Sequence, residues 1–163
     1  MTSGFMEVLK ENLEVAARMH HHLTRSRQQI AHDVPLQPEQ VSQLDDAQID
    51  RLDLYLGRFS KLQDFITSKL FRSVALASLE DTSQDVSLID TLRRMEKYDI
   101  VHDFDGWLGI RLLRNSLIHE YLTDETAVAE NINAAFSEYE ILDATLARLR
   151  QYCEIHIIHG RKE

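Results

Sequence analysis

Proline, glycine and cysteine are scarce in this chain, basic residues are outnumbered by acidic ones, and no long apolar run occurs. Two prolines, Pro35 and Pro38, and five glycines in 163 residues leave too few turn formers for a protein of many short strands. The fold is therefore expected to be all-α. One cysteine, Cys153, excludes an intrachain disulfide and fits a reducing compartment. No Cys/His spacing of the zinc type is present, so neither a metal nor any other cofactor is expected. Apolar stretches fall short of the roughly 18 residues needed to cross a bilayer, and residues 1–30 carry charges throughout without the apolar centre of a secretory leader. A cytoplasmic protein without a membrane partner is expected. With 18 Lys and Arg against 27 Asp and Glu, the net charge of −9 argues against a general nucleic-acid coat protein, whose affinity comes from neutralising phosphates. Only a local basic site is left open.

What the chain does contain is helical periodicity. Phe5, Met6, Val8, Leu9, Leu13, Ala16, Ala17, Met19 and Leu23 recur at helical spacing and predict a first helix from about Gly4 to Ile30. Residues 32–44 hold both prolines and read as a loop. Asp45 or Asp46 then caps a long helix carrying Ile49, Leu52, Leu56, Phe59, Leu62, Phe65, Ile66, Leu70 and Val74 to about Leu79. Ser87 with Asp90 signals a short helix to about Lys97. Asp103 or Asp105 caps the next, which runs to about Leu122, and Thr123 with Thr126 opens the last; residues 156–163 read as a frayed polar tail. Helices joined by short connections pack antiparallel, so residues 1–163 are expected to form one domain, an up-and-down bundle of four long helices plus a short extra one.

The fourth helix carries an anomaly. Between Leu112 and Leu122 its apolar pattern is interrupted by Arg114, Asn115, His119 and Tyr121, and a buried polar group without a partner costs roughly 1–3 kcal/mol. At about 100° per residue, Arg111, Asn115 and His119 form one polar stripe and Arg114 and Tyr121 a flanking one, while Leu113, Leu117 and Ile118 face the core. The helix thus offers one face for packing and one for chemistry.

The arrangement Arg114-Asn115-x-x-x-His119-x-Tyr121 resembles the Arg-x4-His-x-Tyr signature of HEPN proteins, the helical toxins paired with minimal nucleotidyltransferases. Its place on the penultimate long helix, before a short acidic turn and a last long helix, is similar too. The resemblance implies a HEPN-like fold and a metal-independent endoribonuclease toxin that works as a homodimer. RNA would be cut in a composite cleft between two motif helices. It assigns His119 to proton transfer, for which an imidazole near neutrality is suited. Arg114 would hold the scissile phosphate, Asn115 would position His119 or the phosphate, and Arg111 would add a phosphate contact. Tyr121 resembles the position at which the nucleotidyltransferase antitoxin adds AMP and silences the nuclease. Arg114 and His119 stand about 140° apart on an ideal helix, which is why a second subunit is expected to complete the site.

Other polar residues are read more plainly. His20-His21-His22 fan over about 200° of helix and cannot converge on one ion, so they are expected to be solvated. His156 and His159 receive no role. Arg93-Arg94 would extend a phosphate-binding surface or be a solvated face, Glu120 would orient an arginine or be surface, and Trp107 is expected in the core or at a dimer interface. The alternative to a nuclease is a non-catalytic subunit that binds nucleotide or substrate for a minimal nucleotidyltransferase through the same Arg114/His119 cleft.

Overall fold

The structure is a computed structural model that describes residues 2–78, 86–119 and 124–159, with side chains for 4–78, 86–113 and 124–159. The described residues form helices and the turns that join them, with no strand among them. Helix α1 spans Thr2–Ile30, α2 Pro38–Val41, α3 Asp46–Phe65, α4 Phe71–Ser78, α5 Leu88–Lys97, α6 Phe104–His119 and α7 Glu125–Cys153. Among the described residues no helix is long and apolar enough to cross a membrane.

The starts of α3, α5 and α7 are set by a local acceptor. Asp45 caps α3 by accepting the Gln48 backbone N–H at 2.8 Å while Gln48 Oε1 accepts from Asp45 N at 2.9 Å. Ser87 caps α5 through the Asp90 N–H. For α7 the cap is Asp124, which accepts from Thr126 N at 3.0 Å, and not the expected Thr123, which lies outside the described residues. A carboxylate beside a helix N-terminus is a better cap than a threonine hydroxyl, because its charge also meets the helix dipole.

Two expected coil regions contain helix. In the proline loop, Pro38 supplies a first-turn residue that has no N–H to satisfy, and the single turn α2 forms. That loop is fastened to α7 by Asn133, whose Oδ1 accepts from Leu36 N at 2.7 Å and whose Nδ2 donates to Leu36 O at 2.9 Å. The supposed tail continues α7 as a π turn, Glu154–Ile158, with Ile157 buried. Ile157 and Ile158 are the only apolar residues of the expected tail 156–163, too few to show a helical period.

The expected long second helix is a continuous run, α3 into α4, interrupted by a π turn at Ile66–Leu70. The cause is visible in the side chains. Thr67 Oγ1 donates to the Gln63 carbonyl at 2.8 Å and Ser68 Oγ to the Asp64 carbonyl at 2.6 Å, and such back-bonding competes for acceptors and loosens the helical ladder.

The core is shared by all the long helices. On α1 the fully buried positions Leu9, Ala16, Leu23 and Ile30 recur every seven residues, a straight seam facing α3, α4 and α7. Val8 and Ile49, counted in the apolar period of their helices, are exposed. Helix α6 rests chiefly on α3, with lesser contacts to α7 and α5. Inside the core Tyr55 donates to the Ala135 carbonyl at 2.8 Å, and burial raises its phenol far above the usual range.

Helix α5 ends in a Schellman turn: Ile100 N–H donates to Met95 O and Asp99 N–H to Glu96 O, with Ile100 and Met95 both buried. The residue in the left-handed conformation is Asp99, φ 61°, where glycine would carry no steric cost. Replacing Asp99 by Gly is therefore expected to raise stability by about 0.5–1 kcal/mol in urea unfolding. The lost contact to His102 is on the surface and worth less. A second expectation concerns Glu138 on α7, whose Oε2 is buried without a hydrogen-bond partner and whose carboxyl is pushed above its ordinary 4.5 by burial. A raised folded pKa means that the native state holds the proton longer, so stability falls as pH climbs from about 4.5 through the folded value. Glu138→Gln should unfold at higher denaturant than the parent at pH 7 and gain nothing below pH 4, as read from urea midpoints across pH.

Candidate functional site

Helix α6, which carries the sequence motif, is fixed at its start. Asp103 caps it: Oδ1 accepts from Gly106 N at 3.0 Å and its carbonyl from Trp107 N at 3.0 Å. A Cβ at position 106 would lie 2.3 Å from Asp103 Oδ2, so with any residue but glycine there the cap carboxylate would have to turn aside. One residue on, Trp107 is buried in the core and packs against the Phe71 ring at 5.1 Å. Its indole Nε1 donates to Thr67 Oγ1 at 3.1 Å. The same hydroxyl accepts from Gln63 Nε2 at 3.0 Å and gives its own proton to the Gln63 carbonyl, so its one donor and two acceptor positions are all used. The π turn in the α3–α4 run thus presents the oxygen that orients α6.

Beyond Trp107, Ile110 is buried, Arg111 is half-buried and Leu113 packs on the core. Leu112, part of the helix's apolar pattern, is 69% exposed. The α6 backbone is continuous through Arg114, Asn115 and His119. Arg111, Asn115 and His119 therefore follow one another at single-turn intervals, and Leu112 stands two turns before His119 on nearly the same line. The side chains of Arg114, Asn115 and His119 lie outside the described residues, as does Tyr121 altogether. The helix places three of the motif positions on one element.

A polar cluster that sequence reading passed over joins α1 to α7. His20, expected to be solvated, is half-buried, and its Nε2 lies 2.8 Å from Asp143 Oδ1. Its ring stacks on Tyr139 at 5.9 Å, and Tyr139 and Thr24 hydroxyls meet at 2.7 Å. Thr24 gives its proton to the His20 carbonyl, so Tyr139 is the donor in that contact. One turn further, Arg27 lies over the Phe136 ring at 4.0 Å and the Tyr139 ring at 4.6 Å. It donates from Nε and Nη2 to the Phe136 carbonyl and approaches Glu140 at 3.4 Å. His20, Thr24 and Arg27 at i, i+4 and i+7 facing Tyr139 and Asp143 at i and i+4 are the signal that was available. Every group in this seam is engaged with another, which suits an interhelical joint better than a reactive centre.

Of the other candidates, Arg93 lies over the Phe104 ring at 3.7 Å and pairs with Glu96 at 3.2 Å, so it binds α5 to α6 and is not a free phosphate contact. Cys153 is buried, and burial, with Glu154 nearby, pushes its thiol up to about 12, too high for a thiolate nucleophile near neutrality. Among the described residues no three His, Cys, Asp or Glu side chains converge in a way that could hold a metal ion. A cleft of about 300 Å³ opens between the start of α6 and α7, lined by His102, Asp103, Trp107, Glu140, Thr145 and Arg148. Its polar groups are committed locally: Arg148 to the Ile100 carbonyl and Thr145, His102 to Asp99, Asp103 to its cap.

Thr67→Val removes the shared oxygen while keeping the shape, leaving the Trp107 and Gln63 donors buried and unpaired. It is expected to cost about 2–6 kcal/mol in urea unfolding, at roughly 1–3 kcal/mol for each orphaned group. Searches against family models, curated proteins and solved structures returned no match to this chain.

Proposed function

We propose that the chain is a HEPN-like endoribonuclease toxin, a bundle of antiparallel helices working as a cytoplasmic homodimer and silenced by a nucleotidyltransferase antitoxin. The observation that carries this reading is the state of α6. Its first half is locked into the core through Trp107, its second half bears Arg114, Asn115 and His119 on one uninterrupted helix, and Leu112 between them is left exposed. An exposed leucine on the line of His119 supports a partner helix covering that face, the arrangement a composite site requires.

In this mechanism His119 of one subunit takes the proton of the RNA 2′-hydroxyl, whose oxygen attacks phosphorus. The bond to the 5′-oxygen breaks as His119 of the other subunit protonates the leaving oxygen. The products are a cyclic phosphate and a 5′-hydroxyl. Arg114 meets the extra negative charge on the phosphoryl oxygens, Arg111 adds a contact, and Asn115 keeps the imidazole aligned. AMP on Tyr121 would bring an anion into competition for the same arginine. The net charge of −9 favours a second reading, a nucleotide-binding subunit of a nucleotidyltransferase, since a negative field slows encounter with RNA.

Purified protein is expected to degrade RNA in EDTA, with His119→Ala losing at least about a hundredfold in rate. Leu112→Asp should shift the dimer to monomer in sedimentation and lower cleavage in parallel. Cleavage abolished by EDTA, or a His119→Ala protein as active as the parent, rules out the mechanism; nucleotide binding without cleavage transfers support to the second reading.

A further inference from the structure

Where the first turns of α1 cross the π turn at Ile66–Leu70 and the start of α4, a hollow of about 320 Å³ opens to the surface. Its apolar walls are Phe5 and Val8 from α1 and Leu76 from α4. Val8 is 49% exposed although it adjoins fully buried Leu9, so part of the apolar lining is open to solvent. The polar side is built as a relay. The Ser73 hydroxyl gives its proton to the Lys69 carbonyl and accepts from Asn12 Nδ2, which fixes the Asn12 amide in the wall and leaves that nitrogen a second proton. Lys69 stands on the π turn and Arg72 three residues later, so two cations line the same hollow.

The sign of this hollow is opposite to that of the chain. Net charge is −9, and two other cavities carry acids in their walls, Asp103 and Glu140 in the cleft beside α6 and Asp33 in a cavity at the proline loop. Here, among the described residues, the walls hold Lys69 and Arg72 and no carboxylate. Glu7 and Glu11 are exposed on α1 but do not line the hollow. Lys69 is exposed, and none of the ion pairs among the described residues engages it. A recess whose walls carry one sign of charge concentrates ions of the other. Ser68, also in the wall, gives its proton to the Asp64 carbonyl, so the donors offered to a ligand come from Lys69 and Asn12, with Arg72 adding charge.

We propose that this hollow binds a small carboxylate with an apolar chain, a medium-chain fatty acid in class, its head on Lys69 and Asn12 and its chain along Phe5, Val8 and Leu76. Small-ligand sites begin at about 300 Å³ and combine an apolar lining with a few placed polar groups, which is the make-up found here. Charge alone would call for any anion; the apolar walls select one with a chain. A carboxylate has two oxygens to satisfy, which an ammonium and an amide N–H match, whereas a phosphate brings more charge and more oxygens than these donors serve. The hollow shares no residue with the Arg114/His119 motif and does not depend on cleavage.

The test titrates the full-length protein by calorimetry with octanoate below its aggregation concentration, while the Asn12 side-chain amide is followed by NMR. Two controls divide the ligand: octyltrimethylammonium keeps the chain and reverses the charge, and inorganic phosphate keeps the negative sign and lacks the chain. Octanoate is expected to bind about tenfold or more tighter than either control and to shift the Asn12 amide signals. Lys69→Gln, which removes the head contact, and Val8→Asp, which sets a negative charge at the rim, should each weaken octanoate about tenfold or more. Both positions are exposed, so the variants are expected to keep the parent's urea midpoint. No octanoate binding, binding that leaves the Asn12 amide unmoved, or an affinity unchanged in either variant overturns the site. Phosphate or the ammonium binding as tightly as octanoate overturns the carboxylate assignment.

Discussion

Much of this structure turns on one hydroxyl. Thr67 Oγ1 is where the α3–α4 run, its π turn and the motif helix α6 meet, and it does three jobs at once: it draws on the Gln63 carbonyl, accepts the Gln63 amide and accepts the Trp107 indole. Without it the Trp107 indole N–H and the Gln63 amide donor that it receives would be left unpaired in the buried core. The distortion of the long helix and the placement of α6 are therefore two results of satisfying the same atoms. A regular helix through residues 66–70 would keep its ladder intact and aim this oxygen elsewhere.

Charge in the molecule is handled by pairing arginines with aromatic faces. Arg27 lies over Phe136 and Tyr139, and Arg93 over Phe104, each finishing with a carboxylate at the solvent side. These are contacts between helices, and they hold where the apolar seam ends and water begins. The guanidinium plane gives a face to the ring and an edge to the acceptor, which a lysine cannot do at once.

Helix content, the capping residues Asp45 and Ser87, and the seven-residue seam on α1 were legible in the sequence, because periodicity and caps are local. The π turns were not, since back-bonding by Thr67 and Ser68 looks like ordinary helix until the competing acceptors are placed. Nor was the ordered end of α7, where a single buried Ile157 and the ring contacts of His156 lie within a polar run. For the proposed site, positions 114, 115 and 119 and their place on one helix were read from the sequence, and the fold adds the fixed start of that helix. The exposure of Leu112 could not be read in advance: its place in an apolar pattern is the same whether a neighbour covers it or not.

The link between Asn133 and Leu36 carries a chemical vulnerability of its own. One amide both accepts from and donates to the backbone of the same residue, so the side chain stands in for a strand partner along the loop that follows α1. Loss of ammonia from that amide, the common ageing reaction of asparagine, would exchange the donating nitrogen for an oxygen. Two acceptors would then face each other across the gap to the Leu36 carbonyl, and the loop would come away from α7 through the change of a single atom.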